Sequence, residues 1–376
     1  MKKAPFVFGK IATSPEFTDR ENEVDLLKSN FQNSVNTIII SPRRWGKSSL
    51  VSKVTDIINN ENNDTTVVSL DLFNIKNEEE FYIQYAKEVL TATATKWEEF
   101  ASNAKKFLSH LLPQITFSPD NISDISFGVE WEILKKQPDE ILNLAEKIAV
   151  EKNIRIIISI DEFQNIAYFD DPLAFQKKLR SQWQKHQNTA YCLYGSKRHM
   201  LMDVFSNPSM PFYKFGEILF LEKITEEKWI PFITDRFSET GKQISNKQAK
   251  EIARLVNNHP YYVQQLAQQV WFRTARKCQD EHIPDAYNNI VNQLSLLFIN
   301  ITDTLSKTEL SLLKAILKKE KQLTAQKTLK KYHLGTSANV IRLRRILIDR
   351  EIIGINQDTI FFQDPFFASW LETEYF

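Results

Sequence analysis

The stretch VNTIIISPRRWGKSSL, residues 35–50, leaves a chain few ways to fold. A short β-branched apolar run, read as a buried strand over 35–41, ends abruptly in a polar loop. From Lys47 to about Asn59 the pattern turns helical. Strand, loop and helix are the context of a phosphate-cradling loop, G-x-x-x-x-G-K-[ST]. Ser41 stands where that pattern has its first glycine. The glycine makes a tight exit from the strand, and a serine can do the same if its φ stays negative. Pro42 removes one N–H, but the donors that face phosphates come later in the loop.

The intact half of the motif assigns the chemistry. Gly46 lets the backbone approach phosphates, and successive N–H groups with the helix start form an anion-binding nest. Lys47 is expected on the β- and γ-phosphates of a nucleotide, and the Ser48 hydroxyl on Mg²⁺. Arg43, Arg44, Trp45 and Ser49 complete the stretch expected to contact the nucleotide. Arg43 and Arg44 read equally as solvated loop charges or as contacts to phosphate or a neighbouring subunit.

A second motif lies further along, in IRIIISIDEFQN. A buried strand over 154–160 ends in Asp161-Glu162. Acidic groups at the carboxyl end of a parallel strand border the ligand crevice of such sheets. Asp161 is expected to hold Mg²⁺ through water, and Glu162 to act as general base on the attacking water. A solvated acidic helix cap is the alternative. Gln164 could orient water or lie on a helix surface.

Between and after these motifs strands alternate with helices. TTVVSLDLF reads as a strand, 78–112 as a long helical region, and Pro138 as the first turn of a helix reaching Lys152. Asp171-Pro172 opens a helix to about His186. TAYCLYG (189–195) and EILFL (217–221) read as further strands. The alternation predicts a parallel sheet covered on both faces. Residues of about 95–137 include a stretch without steady period and look like an insertion. Residues 225–304 read as helices. Three short helices near 306–319, 323–332 and 336–350, then IIGIN and TIFFQ around a turn at Gln357-Asp358, make a winged helix-turn-helix pattern. Domains are expected over 1–222, 223–304 and 305–376.

Composition adds exclusions. Cys192 and Cys278 cannot build a disulfide framework and fit a reducing cytoplasm. No apolar run is long enough to span a bilayer, so no membrane partner is expected. The scattered histidines, His199 among them, show no zinc spacing. Gly195-Ser196 lacks the frame of a hydrolase elbow. Ser196 reads as a cap for a helix beginning at Lys197.

SPRRWGKSSL resembles the G-P-R-R-x-G-K-[ST]-S-L loop of the archaeal-type ATPases, relatives of the AAA+ and STAND ATPases. PEFTDRENEVDLL looks like that family's entry segment, and SIDEFQNI like its h-D-E-[FA]-Q strand end. YGSKRHMLMDVFSNPSMPFYKFGEILFLEKIT is similar to its Gly-Ser strand, helix, P-[LF]-Y segment and final strand. NHPYYVQQLA resembles its lid segment. The resemblance covers about 15–275. It implies an α/β fold, a P-loop NTPase sheet of five parallel strands with one inserted between the loop strand and its partner, plus a helical lid. It also implies Arg20 and the surroundings of Phe17 beside the adenine, Ser196 reading the γ-phosphate, and Pro260 contacting the base. Lys214 stands where many relatives have arginine, and His259 replaces a glycine.

Leu305–Arg350 carries twelve Lys/Arg against three Asp/Glu, a local charge of +9 hidden by the neutral total. Val340, Leu343 and Leu347 share one helix face, and Arg342 and Arg345 another. Basic groups on the free face of a third winged-helix helix would give salt-dependent DNA contact. Such modules equally serve as protein-contact elements, so self-association and a protein partner stay open. The expectation is a cytoplasmic Mg-ATP hydrolase whose nucleotide state switches lid and winged helix. The alternatives are a low-turnover switch, an ATP-dependent DNA-binding regulator acting through Arg342 and Arg345, and a relic site.

Overall fold

The computed structural model describes residues 3–13, 16–61, 64–108, 138–356 and 359–376. Residues 109–137 of the expected insertion, and the turn at Gln357-Asp358, lie outside them. The chain divides into two compact units, residues 10–223 and residues 1–9 with 224–376.

The first unit is built on five parallel strands: β1 (Thr37–Ile40), β2 (Thr65–Asp71), β3 (Arg155–Asp161), β4 (Thr189–Gly195) and β5 (Glu217–Phe220). Their order is β2-β3-β4-β1-β5. β4 therefore separates β1 from β3. Strand residues alternate between two buried faces, as a sheet covered on both sides requires. Ile38, Ile40, Ile156, Ile158 and Ile160 belong to one apolar cluster. Ile39, Ile157, Ala190 and Cys192 belong to the other.

Helices α1 (Glu21–Gln32) and α2 (Lys47–Asn60) supply Leu27, Phe31, Leu50, Val54 and Ile58 to the second cluster. The opposite face is covered by α3 (Glu78–Ala92), α4 (Trp97–Leu108), α5 (Pro138–Leu142), α6 (Leu144–Lys152), α7 (Pro172–Trp183) and α8 (Arg198–Ser206). The long helix expected from residue 78 is interrupted at 93–96. There the Thr93 hydroxyl bonds back to Val89 O at 2.7 Å, and Thr95 N meets Glu99 Oε2 at 2.7 Å to open the next helix. The expected single helix from Pro138 likewise breaks at Asn143, whose side chain turns to Asp139 O (2.7 Å) and Gln182 Oε1 (3.2 Å).

The second unit contains α9 (Glu226–Glu239), α10 (Asn246–Leu255), α11 (Pro260–Arg273), α12 (His282–Asp303), α13 (Lys307–Leu317), α14 (Gln326–Lys331) and α15 (Ser337–Asp349). The hairpin β6 (Ile353–Asn356) and β7 (Thr359–Phe362) and the short α16 (Pro365–Trp370) follow. Ser306 and Glu309 close the expected capping box on α13. One apolar cluster runs from Trp229 and Val263 through Leu312 and Leu343 to Trp370. The helices expected as a lid and the winged helix thus share a core. The aromatic tail is part of it: Phe367 and Trp370 pack on Phe298, with ring centroids 5.4 and 5.8 Å away.

Candidate functional site

Parallel strands deliver their carboxyl ends to one edge of the sheet, and the register decides which residues meet there. Ile40 pairs with Gly195, so Ser41 and Ser196 leave β1 and β4 as neighbours. Asp71 pairs with Asp161 at the ends of β2 and β3.

Ser41 is buried and keeps out of the left-handed region, so its side chain meets no strain in place of glycine. Its backbone and hydroxyl serve Lys47: Nζ donates to Pro42 O at 2.9 Å, Ser41 O at 3.1 Å and Ser41 Oγ at 3.3 Å. The ammonium is thereby folded into the loop. Gly46 caps α2 with φ +94°, a conformation that favours glycine. The space beside its Cα is open to at least 4 Å.

The loop is braced from behind. Arg20, expected near the base, is buried, and Nη2 donates to Glu222 O (2.5 Å) and Trp45 O (3.5 Å) while Nη1 pairs with Glu23 (2.9 Å). Trp45 is buried, with Lys223 Nζ 5.9 Å from its ring centre. Burial holds the Lys223 ammonium below its ordinary pKa. Ser49 Oγ accepts from Ala12 N at 3.0 Å, fastening the segment that precedes α1. Arg43 and Arg44 are exposed.

The two motifs meet directly. Ser48 Oγ donates to Asp161 Oδ2 at 2.8 Å, and Glu162 N donates to Asp161 Oδ1 at 2.7 Å. Burial pushes the Asp161 carboxyl above its ordinary range, against those two donors, and the charges of Glu162 and Asp71 push the same way. A hydroxyl and a carboxylate side by side are hard oxygen donors, the set that suits Mg²⁺. With the open face at Gly46 and the buried ammonium, these residues fit a Mg-nucleotide.

Glu162 has φ +51°, a left-handed conformation that turns its side chain off the strand path. Its Oε2 accepts from Ser196 Oγ at 2.9 Å and Ser196 N at 3.4 Å, and also from Gln164 Nε2. The residue therefore forms no acidic cap on the following 3₁₀ turn, Phe163–Tyr168. Ser196 does not cap a helix either: α8 begins at Arg198 with Lys197 at its N-cap. Gln164, which could have lain on a helix surface, is fully buried. Sequence reasoning undervalued it because its neighbour Gly195 is distant in the chain. The signal was a glycine at a strand end in a chain with only 8.

The remaining residues lie elsewhere. Pro260 opens α11 in the second unit, after His259, whose buried ring lies 4.5 Å from that of Tyr262. Lys214 is exposed with φ +53°. Arg342 and Arg345 are exposed on α15, and Val340, Leu343 and Leu347 are buried beneath them.

A five-stranded parallel sheet with a phosphate loop after β1 and an acidic pair at the end of β3 defines a Walker-type ATPase domain. Residues 17–266 match the family described as an ATPase domain predominantly from Archaea, and the chain belongs to that family. Residues 296–373 match a probable winged helix domain. Among solved structures the chain is similar to the Walker-type ATPase PABY2304 of Pyrococcus abyssi, at 17% identity and TM-score 0.65, over 95% of this chain and 96% of that one. It is also similar to the Aeropyrum pernix ORC2 protein in ADPNP-ADP complexes, at 13% identity and TM-score 0.57, over 96% and 93%. At these identities the likeness concerns the fold. No curated protein matches the chain. Among the described residues no helix is long and apolar enough to cross a membrane.

Proposed function

We propose that this protein binds Mg-ATP at the β1–α2 loop and hydrolyses it to ADP and phosphate, with the nucleotide state governing the helical and winged-helix unit. The observation that carries the reading is the 2.8 Å bond between Ser48 and Asp161, which joins motifs 113 positions apart. Adenine nucleotide is favoured by the ORC2 structure, whose ligands are ADPNP and ADP.

In this reading the N–H groups from Trp45 onward and the start of α2 bind the phosphates, and Lys47 swings from its carbonyl partners onto the β- and γ-phosphates. Arg20 supports the loop and the segment near Phe17 that borders the base. Ser48 and Asp161 are the residues that would hold Mg²⁺. The metal when bound neutralises charge on the β- and γ-oxygens. Water attacks the γ-phosphorus, its proton passes to the Glu162 carboxylate, and the bond to the β-phosphate oxygen breaks. Ser196 reports the γ-phosphate to Glu162.

The test is thermal stability and steady-state phosphate release with Mg-ATP for wild type, Lys47→Ala and Glu162→Gln. The reading expects ATP to stabilise wild type and Glu162→Gln but not Lys47→Ala, with release by wild type alone. A wild type that is neither stabilised nor active overturns it. Stabilisation without turnover converts it to a nucleotide-held switch.

A second reading, ATP-dependent DNA binding, is favoured by the free face of α15. Ala338, Ile341, Arg342 and Arg345 are exposed at helical spacing, and Ile341 is 61% exposed. An apolar group beside two arginines suits a groove lined by phosphates and thymine methyls.

A further inference from the structure

We propose that Gln164 is a positioning residue for hydrolysis: seated in the space left open by Gly195, its amide fixes the direction of the Glu162 carboxylate. The inference rests on the hydrolytic reading above and deepens it.

The Gln164 side chain is fully buried and its Nε2 donates to Glu162 Oε2. The other end of the amide, Oε1, is buried without a hydrogen-bond partner among the described residues. An unsatisfied buried oxygen costs about 1–3 kcal/mol, so a residue chosen only to fill space would be apolar. The amide cannot reverse to relieve this cost, because its carbonyl would then face the carboxylate.

Gly195 is what admits the amide. A Cβ there would lie 1.8 Å from Gln164 Oε1 and 2.9 Å from its amide carbon. No side chain fits without expelling Gln164. A glycine at the end of β4 and a glutamine three residues beyond the end of the acidic pair's strand thus form one device.

Its consequence lies in how the two carboxylate oxygens are used. Oε2 takes the donors from Gln164 and Ser196. No hydrogen bond to Oε1 is present among the described residues, so Oε1 is the atom that accepts the proton of water. Ser196 is proposed to move with the γ-phosphate. Gln164, held by the sheet, keeps the carboxylate aimed when it does. Positioning of this kind raises kcat without adding nucleotide affinity.

The experiment is steady-state phosphate release and thermal melting of the full chain with Mg-ATP. The variants are Gln164→Met, Gln164→Asn, Gly195→Ala, Glu162→Gln and the double variant Glu162→Gln/Gln164→Met. The expected result is a kcat at least about tenfold lower for the first three, with KM changed by less than about twofold. Gln164→Met should melt at or above the wild-type temperature, because it removes an unsatisfied oxygen. The double variant should have the same residual rate as Glu162→Gln, because Gln164 acts through Glu162. Gln164→Asn keeps the amide but is one methylene short, and it carries the test if the methionine variant does not fold. Unchanged kcat in Gln164→Met with an active wild type overturns this inference alone. So does a raised KM at constant kcat, or a double variant slower than Glu162→Gln. A wild type that ATP stabilises but that releases no phosphate overturns the hydrolytic reading and this inference together.

Discussion

The Ser48 hydroxyl donates to the Asp161 carboxylate across 2.8 Å, from the first turn of α2 to the last residue of β3. That contact engages both groups with each other. If Mg²⁺ binds here as proposed, coordination replaces this contact, and either partner sets the Mg²⁺ requirement. Ser48→Ala should raise the Mg²⁺ concentration for half-maximal phosphate release by at least about tenfold, roughly 1.4 kcal/mol. Asp161→Asn should do the same. A Mg²⁺ titration at fixed ATP checks this, and an unchanged midpoint in both variants removes the pair from the metal site.

Gly46 and Gly195 should fail differently when replaced by alanine. At Gly46 the space is open and the obstacle is its φ of +94°, worth about 1–2 kcal/mol of backbone strain. Gly46→Ala should lower the unfolding free energy from urea curves by that modest amount and weaken stabilisation by ATP. At Gly195 the backbone is ordinary and the obstacle is the Gln164 amide, so ATP stabilisation should survive while turnover falls. Paired urea and ATP-stabilisation curves separate the two.

Stability should depend on pH through His186, far from the loop. Its Nε2 lies 2.7 Å from Asn143 Oδ1, an acceptor only, so Nε2 carries the proton. Nδ1 then accepts from the Tyr191 hydroxyl at 2.8 Å, and the ring is neutral. Burial holds its pKa below the ordinary value; Glu146 opposes this and Lys185 adds to it. A depressed folded pKa means that the unfolded chain binds the proton more readily. The contribution is therefore intact above the free imidazole value and lost as pH falls below it. Urea midpoints at roughly pH 7.5 and roughly pH 5.5, either side of about 6.5, should differ more for wild type than for His186→Gln.

The basic face of α15 gives a salt signature. If it meets DNA, Arg342→Ala and Arg345→Ala should each weaken binding across unrelated duplexes. Each should also flatten the plot of log affinity against log salt by about one unit. Fluorescence anisotropy over a salt series measures this. Slopes equal to wild type in both variants exclude α15 as the contact.

Local patterns carried most of the sheet. IRIIISI and TAYCLYG announce buried strands because β-branched and aromatic residues crowd into short runs bounded by turn residues. Their observed limits, Arg155–Asp161 and Thr189–Gly195, lie within a residue of the expected ones. The placement of β4 between β1 and β3 followed from the family resemblance, since pairing of distant strands leaves no periodic trace. The helix breaks at 93–96 and Asn143 depend on side chains turning back to their own backbone, which propensity does not register. Ser48 and Asp161 were legible as motif residues. Gln164 was legible as a motif residue too, but its burial against Gly195 was not, because only the folded register brings the two together. The shared core of the expected lid and winged helix was hidden for the same reason: each segment satisfies its own pattern.

Residues 1–9 fold with residues 224–376. Phe6 is buried against Phe232 and Phe237, and Val7 N donates to Gln264, 257 positions away. On the ribosome this means that an early-made piece of the second unit waits for the rest of it. At about 5–20 residues per second the wait is on the order of twenty to seventy seconds. Meanwhile the whole sheet of residues 10–223 can emerge and close. The order of synthesis makes the nucleotide-binding half the first to mature, and leaves Phe6 as the late latch of the half that follows.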